Sequence, residues 1–158
     1  MLDQRQISIK RLGYVAQGKR SANCGPCSLK MIADYYGISH PRGGQFSVQS
    51  INRLLKTTTQ WGTEPKDLHR VAKRLGLIPR KVGYDHLEEV LKQGHPVVGL
   101  FMDEGNQGHY ALISGLKGDE LVFHDSYWGK RTRRKLGQFK KMAAPFRHWL
   151  YAYLPGPT

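Results

Sequence analysis

Acidic residues are scarce in this 158-residue chain and unevenly spread, with none between Gln4 and Ala33 and none after Asp125. With 12 Asp and Glu against 25 Lys and Arg, the formal net charge is +13. Such a field attracts nucleic acid, an anionic membrane or an acidic protein. The excess is densest in Lys130, Arg131, Arg133, Arg134, Lys135, Lys140 and Lys141, and a solubilising face would account for it equally well. Cysteine is nearly absent as well. The only two, Cys24 and Cys27, lie three residues apart, which excludes a disulfide framework of the small secreted kind and leaves the thiols for chemistry. No apolar run reaches membrane-spanning length, and Met1 to Lys10 has no apolar stretch of the signal-peptide type. The expectation is a protein cytoplasmic as synthesised, or one delivered without a signal peptide as part of a larger system. No internal repeat interrupts the chain. Its length suffices for a hydrophobic core without staples, so residues 1–158 are expected to form a single domain, with 1–22 as an extended lead-in.

What is present begins with Asn23 to Gly37. Leu29, Ile32, Tyr35 and Tyr36 recur at helical spacing, and Gly37 suits a helix end. Cys24 thus stands at a helix start, where free N–H groups and the dipole favour a thiolate. Ser47 reads as the N-cap of a second helix, Thr63-Glu64-Pro65 as the start of a third, and Asp85 with Glu88 as a capping box for a fourth that ends at Gly94. After Gly94 the period becomes strand-like. Strands are expected over Pro96 to Met102, His109 to Gly115, Glu120 to Asp125 and His148 to Leu154, with another over Leu77 to Val82 and a short helix over Gln138 to Ala144. Helices first and antiparallel strands second make an α+β fold.

A cysteine hydrolase needs a thiolate, a histidine, a group that orients the histidine, and donors for the oxyanion. If the hairpin folds about Lys117, His109 and Asp125 lie nearly opposite each other on one face, with His124 on the other. Gln17, with the backbone N–H of Cys24, is the candidate oxyanion donor.

Four pieces now point to a family: Asn23-Cys24-Gly25-Pro26 opening a helix that ends Tyr35-Tyr36-Gly37; Gly94-His95-Pro96-Val97-Val98; Gly108-His109-Tyr110-Ala111-Leu112-Ile113-Ser114-Gly115; and Val122-Phe123-His124-Asp125 followed by Gly129. Together they resemble the papain-like cysteine peptidases, and within them the bacteriocin-processing (double-glycine leader) peptidases and their stand-alone relatives. The resemblance implies a papain-like fold, with helices carrying the nucleophile at a helix start and packed on a C-terminal antiparallel sheet. It implies Cys24 as nucleophile, His109 as general base and acid, Asp125 as orienter, Gln17 as oxyanion-hole residue, a peptide or protein substrate, and no cofactor. Two departures stand out. Ser126 follows the aspartate where the family usually has proline, and the family's glutamine usually sits one residue closer to the cysteine.

The same residues admit other readings. On this scaffold glutamine deamidation or acyl transfer is as feasible as peptide cleavage. Cys24-Gly25-Pro26-Cys27 is also the active-site tetrapeptide of thioredoxin-like oxidoreductases, although a short polar lead-in leaves no room for the strands and helix that fold needs first. Zinc would need a second Cys pair or close His pair, and the sequence has neither. A basic nucleic-acid-binding module would use the segment 130–141, with Trp128 and Phe139 stacking on bases, but no nucleic-acid motif accompanies it and specific binding is not expected. The charge on a small hydrolase suggests an effector or toxin domain held by an acidic partner or inhibitor protein.

Overall fold

The computed structural model describes residues 5–18, 21–57 and 62–157. Three helices come early: α1 (Cys24–Tyr35), α2 (Val48–Leu55) and α3 (Pro65–Arg74). Each buries the stripe its spacing predicts. Leu29 and Ile32 on α1, Ile51 and Leu55 on α2, and Leu68, Val71 and Ala72 on α3 are all out of solvent. Ser47 caps α2 through a reciprocal pair with Ser50, each hydroxyl accepting the other residue's backbone N–H at 3.0 Å. The fourth helix, α4 (Tyr84–Lys92), begins one residue before Asp85, with Gly83 at its N-cap and no side-chain cap. The expected capping box is therefore absent. Glu88 pairs instead with Arg5 and Lys92.

Seven strands form one sheet: β1 (Gln6–Ser8), β2 (Leu77–Lys81), β3 (Val97–Met102), β4 (Gly108–Lys117), β5 (Glu120–Asp125), β6 (Gly129–Lys135) and β7 (Leu150–Pro155). The order is β2-β7-β3-β4-β5-β6, with β1 on the far half of β4, and every pairing is antiparallel. Helix α5 (Leu136–Ala143) and a 3-10 turn over Ala144–Phe146 lie between β6 and β7.

Two sequence expectations change here. The lead-in is not merely extended, because β1 pairs with β4 and carries Ile9 and Leu12 into the core. The first half of the basic segment 130–141 is the edge strand β6. Phe139, expected at a base-stacking surface, is wholly buried against Phe101 and Phe123. It cannot reach a nucleic acid.

The hairpin of β4 and β5 also differs from the symmetric fold expected about Lys117. Its tip pairs Lys117 with Glu120 and Gly115 with Val122, but then Ile113 with Phe123, so Ser114 is an extra residue, a β-bulge. Had the tip register continued, Asp125 would face Leu112, whose side chain points away from that of His109. The bulge moves Asp125 opposite Ala111, a diagonal neighbour of His109 on the same face. Leaving Ser114 out of the ladder decides which side of the sheet the aspartate serves. Gly115 beside it has no alternative, since a Cβ there would stand 2.2 Å from the carbonyl oxygen of Ile7.

Candidate active site

Cys24 is placed by a tight contact behind it. A Cβ on Gly25 would lie 2.5 Å from the Thr63 hydroxyl oxygen, so only glycine lets the start of α1 approach this closely. Thr63 is itself held, its carbonyl by the Tyr110 hydroxyl at 3.0 Å and its hydroxyl by Thr57 at 2.6 Å. Both cysteines are free thiols, Cys24 half-buried and Cys27 fully buried. Burial, then the neighbouring charge of Cys24, pushes the Cys27 thiol up to about 12, with Lys30 opposing. Cys27 therefore stays a protonated, inert neighbour.

His109 Nε2 lies 2.8 Å from Asp125 Oδ1. That bond leaves Nδ1 for Cys24, whose thiolate favours the imidazolium. The imidazole stands edge-on to Phe101 at 5.5 Å between centroids, which fixes its plane. Burial disfavours the imidazolium, but the bonds to Asp125 and Cys24 and their charges outweigh it and raise its pKa to about 10. Burial likewise works against the Asp125 carboxylate, yet the His109 bond and charge and the N–H groups of Trp128 and Tyr127 hold it below its ordinary range. Both N–H groups donate to Oδ1 at 3.0 Å. Asp125 thus orients the ring and is itself oriented.

Gln17 is buried and lies against the residue that follows the aspartate. Its backbone N–H donates to the Ser126 carbonyl at 2.9 Å, and the Ser126 hydroxyl donates to its Oε1. The two departures from the family pattern therefore touch each other. The serine that replaces proline grips the displaced glutamine. Nε2 gives one hydrogen to the Ser21 carbonyl at 2.8 Å, and its second faces only a long 3.4 Å contact to the Ser21 hydroxyl.

Sequence reasoning missed Tyr14, whose hydroxyl donates to the Asp125 carbonyl at 2.7 Å. No periodicity marks it in the lead-in. Trp128 was read as a base-stacking residue. With Tyr127 it forms an exposed edge-on pair directly after Asp125 and Ser126, each about half in solvent at 49%. Three other histidines bond tyrosine hydroxyls: His69 to Tyr153, His95 to Tyr36 and His148 to Tyr84. Among the described residues no three His, Cys, Asp or Glu side chains gather as a metal would require.

The model of the peptidase C39 family matches residues 11–142, most of the chain. The chain belongs to the peptidase C39 family. It is a cysteine peptidase of papain-like architecture. Solved structures share the fold at low identity. The peptidase domain of Streptococcus ComA, a bi-functional ABC transporter involved in a quorum-sensing pathway, is 23% identical, with a TM-score of 0.71 over 92% of this chain and 99% of that one. A double-glycine-motif protease from an AMS/PCAT transporter, solved with its leader peptide, is 19% identical, with a TM-score of 0.66 over 96% and 99%. The Carica candamarcensis cysteine protease CMS1MS2, solved with E-64, is 12% identical, with a TM-score of 0.66 over 96% and 99%. No curated protein matches the chain significantly. The thioredoxin-like reading falls with this fold. The Cys-Gly-Pro-Cys helix of the C39 peptidase has only the three-residue β1 before it among the described residues, and no parallel strand pair. No helix among the described residues is long and apolar enough to cross a membrane.

Proposed function

We propose that this peptidase cleaves peptide bonds through Cys24, His109 and Asp125, with Gln17 and the Cys24 backbone N–H as oxyanion donors. The observation that carries the reading is the buried His109–Asp125 bond, held by a carboxylate that accepts from His109 and two backbone N–H groups, with Cys24 at the helix start acting on the same ring. The Cys24 thiolate adds to the carbonyl carbon. The oxyanion takes bonds from Gln17 Nε2 and the Cys24 N–H, and His109 gives its Nδ1 proton to the leaving amine. Neutral His109 then deprotonates water, which attacks the thioester and frees the acid and Cys24. A peptide substrate accords with the leader peptide bound to the transporter protease. The exposed Tyr127 and Trp128 give an extended chain an aromatic surface beside the triad.

Incubation with a peptide library and with iodoacetamide tests this. Cleavage products should appear, and mass spectrometry should find one alkylated thiol, Cys24, with cleavage lost in proportion to labelling. Ammonia release from glutamine side chains without chain cleavage would make the enzyme a deamidase. Transfer to an added amine would make it an acyltransferase.

Gln17→Ala is expected to lower kcat ~10- to 100-fold with little change in KM, because the lost donor serves the oxyanion and not the ground state. Steady-state kinetics of the variant check the split. A purely structural role would lower Tm and leave kcat of the folded fraction intact.

A further inference from the structure

The face of the sheet turned away from His109 carries a second concavity. There β1, β4, β5 and β6 stand side by side, and a trough of about 540 Å³ runs between the chain from β1 to Leu12 and the edge strand β6. Its floor includes Leu116, Val122 and His124, and five cations line it: Lys10, Lys117, Lys130, Arg131 and Arg133. Arg133 pairs with Glu120 at 3.8 Å, which also stands across the ladder from Lys117. Among the described residues the other four make no ion pair.

Arg131 is the notable member. Register passes from Phe123 opposite Thr132 to His124 opposite Lys130, so Arg131 is the bulged residue, with φ at 63°. That left-handed conformation suits glycine or asparagine and strains an arginine. A bulge that only protected the sheet edge would not need an arginine side chain at this point. Here Arg131 is among the residues that line the trough.

His124 adds a second, independent mark. It is 4% exposed, its Nε2–H donates to the Leu12 carbonyl at 3.2 Å, and its Nδ1 is buried without a partner. Burial favours the neutral ring, the Leu12 bond opposes this, and the charges of Lys130 and Arg131 reinforce it. The bare nitrogen is therefore an acceptor in need of a donor.

We propose that this trough binds a small molecule carrying a compact oligophosphate, of the nucleoside polyphosphate class. Its volume lies within the ~300–1,000 Å³ of small-ligand pockets. Charge density separates this ligand from an acidic peptide. An extended chain shows one face a carboxylate only every ~7 Å, too sparse for five cations around one cavity, whereas an oligophosphate concentrates its charge. The apolar floor takes the base or sugar, and a hydroxyl or amino group donates to His124. None of these residues belongs to the Cys24, His109, Asp125 set, so the site stands or falls apart from the peptidase mechanism.

Calorimetry of the full chain in low salt with ATP, sodium tripolyphosphate and hexaglutamate tests it. ATP is expected to bind ~10-fold tighter than tripolyphosphate, which has nothing to offer His124, and both tighter than hexaglutamate. Arg131→Gly relieves the backbone while removing the cation, so Tm should hold or rise while ATP affinity falls ~10-fold or more. Arg147→Gly is the control. Arg147 is an exposed arginine in the same left-handed conformation, at φ 54°, outside the trough, and its loss should change affinity by less than ~2-fold. The proposal is overturned if ATP and tripolyphosphate both give no heat and no Tm shift at ~1 mM, if the two variants lose affinity equally, or if hexaglutamate binds best. Equal affinity for ATP and tripolyphosphate would overturn its nucleoside part.

Discussion

Cys24→Ala is expected to abolish turnover, a loss of ~10³-fold or more, with Tm essentially unchanged. The thiol is half-buried at the margin of the core, and removing its single sulfur atom leaves no sizeable cavity. The contrast that gives the result meaning is Cys27→Ser. Cys27 is fully buried in the first turn of α1, and a hydroxyl there costs ~1–2 kcal/mol unless it finds a partner. That variant should lose stability and keep kcat within ~3-fold, because the protonated Cys27 thiol takes no part in the chemistry. The two cysteines thus separate cleanly, one by activity and the other by melting temperature. Loss of turnover in both variants, together with insulin reduction by the native protein, would restore the dithiol reading.

The second large effect concerns Asp125→Asn. The amide oxygen can still accept the Tyr127 and Trp128 N–H groups that Oδ1 accepts at 3.0 Å, so the fold should survive. The charge that favours imidazolium is gone, and an amide N–H can displace the oxygen from Nε2. A loss of ~10²- to 10⁴-fold in kcat is expected. The pH dependence follows with a definite sign. Burial opposes the His109 cation, but the bonds to Asp125 and Cys24 prevail and lift it from 6.5 to about 10. A raised folded value lends stability that is complete below the unfolded pKa and is lost as pH climbs through about 10. Asp125, held low, acts in the reverse sense, with its contribution present at neutral pH and lost as acid protonates the folded carboxylate. Native kcat/KM should accordingly stay level well into alkaline pH and fall as the imidazolium is lost near 10. In Asp125→Asn that limb should move to lower pH. NMR titration of the His109 ring in both proteins gives the same quantity without turnover. An unmoved limb would mean that Asp125 does not govern the protonation of His109.

Much of this site is legible in the chain because its signals are local. Cys24 before Gly25-Pro26 and a helical stripe announces a helix start, and the structure begins α1 at Cys24. Ser47 likewise caps where it was read to cap. The antiparallel hairpin that carries His109 and Asp125 was visible from alternation and a turn. What alternation cannot display is a bulge, because Ser114 in the middle of an apolar strand changes the pairing without altering the composition. Nor can it show β6. Lys130 to Lys135 has no apolar alternation because its strand lies at the edge and exposes both faces to water or to the trough. The capping box at Asp85 failed for a related reason. Tyr84 opens the helix behind the N-cap Gly83, and the carboxylate lands inside the first turn. Tyr14 reaches Asp125, and Ser126 reaches Gln17, across more than a hundred residues of sequence, a distance over which a local pattern carries no information.

The extra residue at Ser114 gives the β4–β5 hairpin a parity. Strand faces repeat every two residues, so a change that slides β5 along β4 by two positions returns Asp125 to the side of His109, whereas a slide of one sends it to the other side. Odd and even length changes in this hairpin are therefore unequal events for the enzyme. The core could absorb either, since Phe123 and Leu121 are flanked by other apolar side chains, but the bond between His109 and Asp125 survives only one of the two. Lineages of this peptidase should accordingly keep length changes between His109 and the bulge, or between the bulge and Asp125, to even numbers. Deleting Ser114 itself should only close the bulge, with Ile113 still opposite Phe123 and Gly115 opposite Val122, whereas deleting Leu112 should carry Asp125 to the face away from His109.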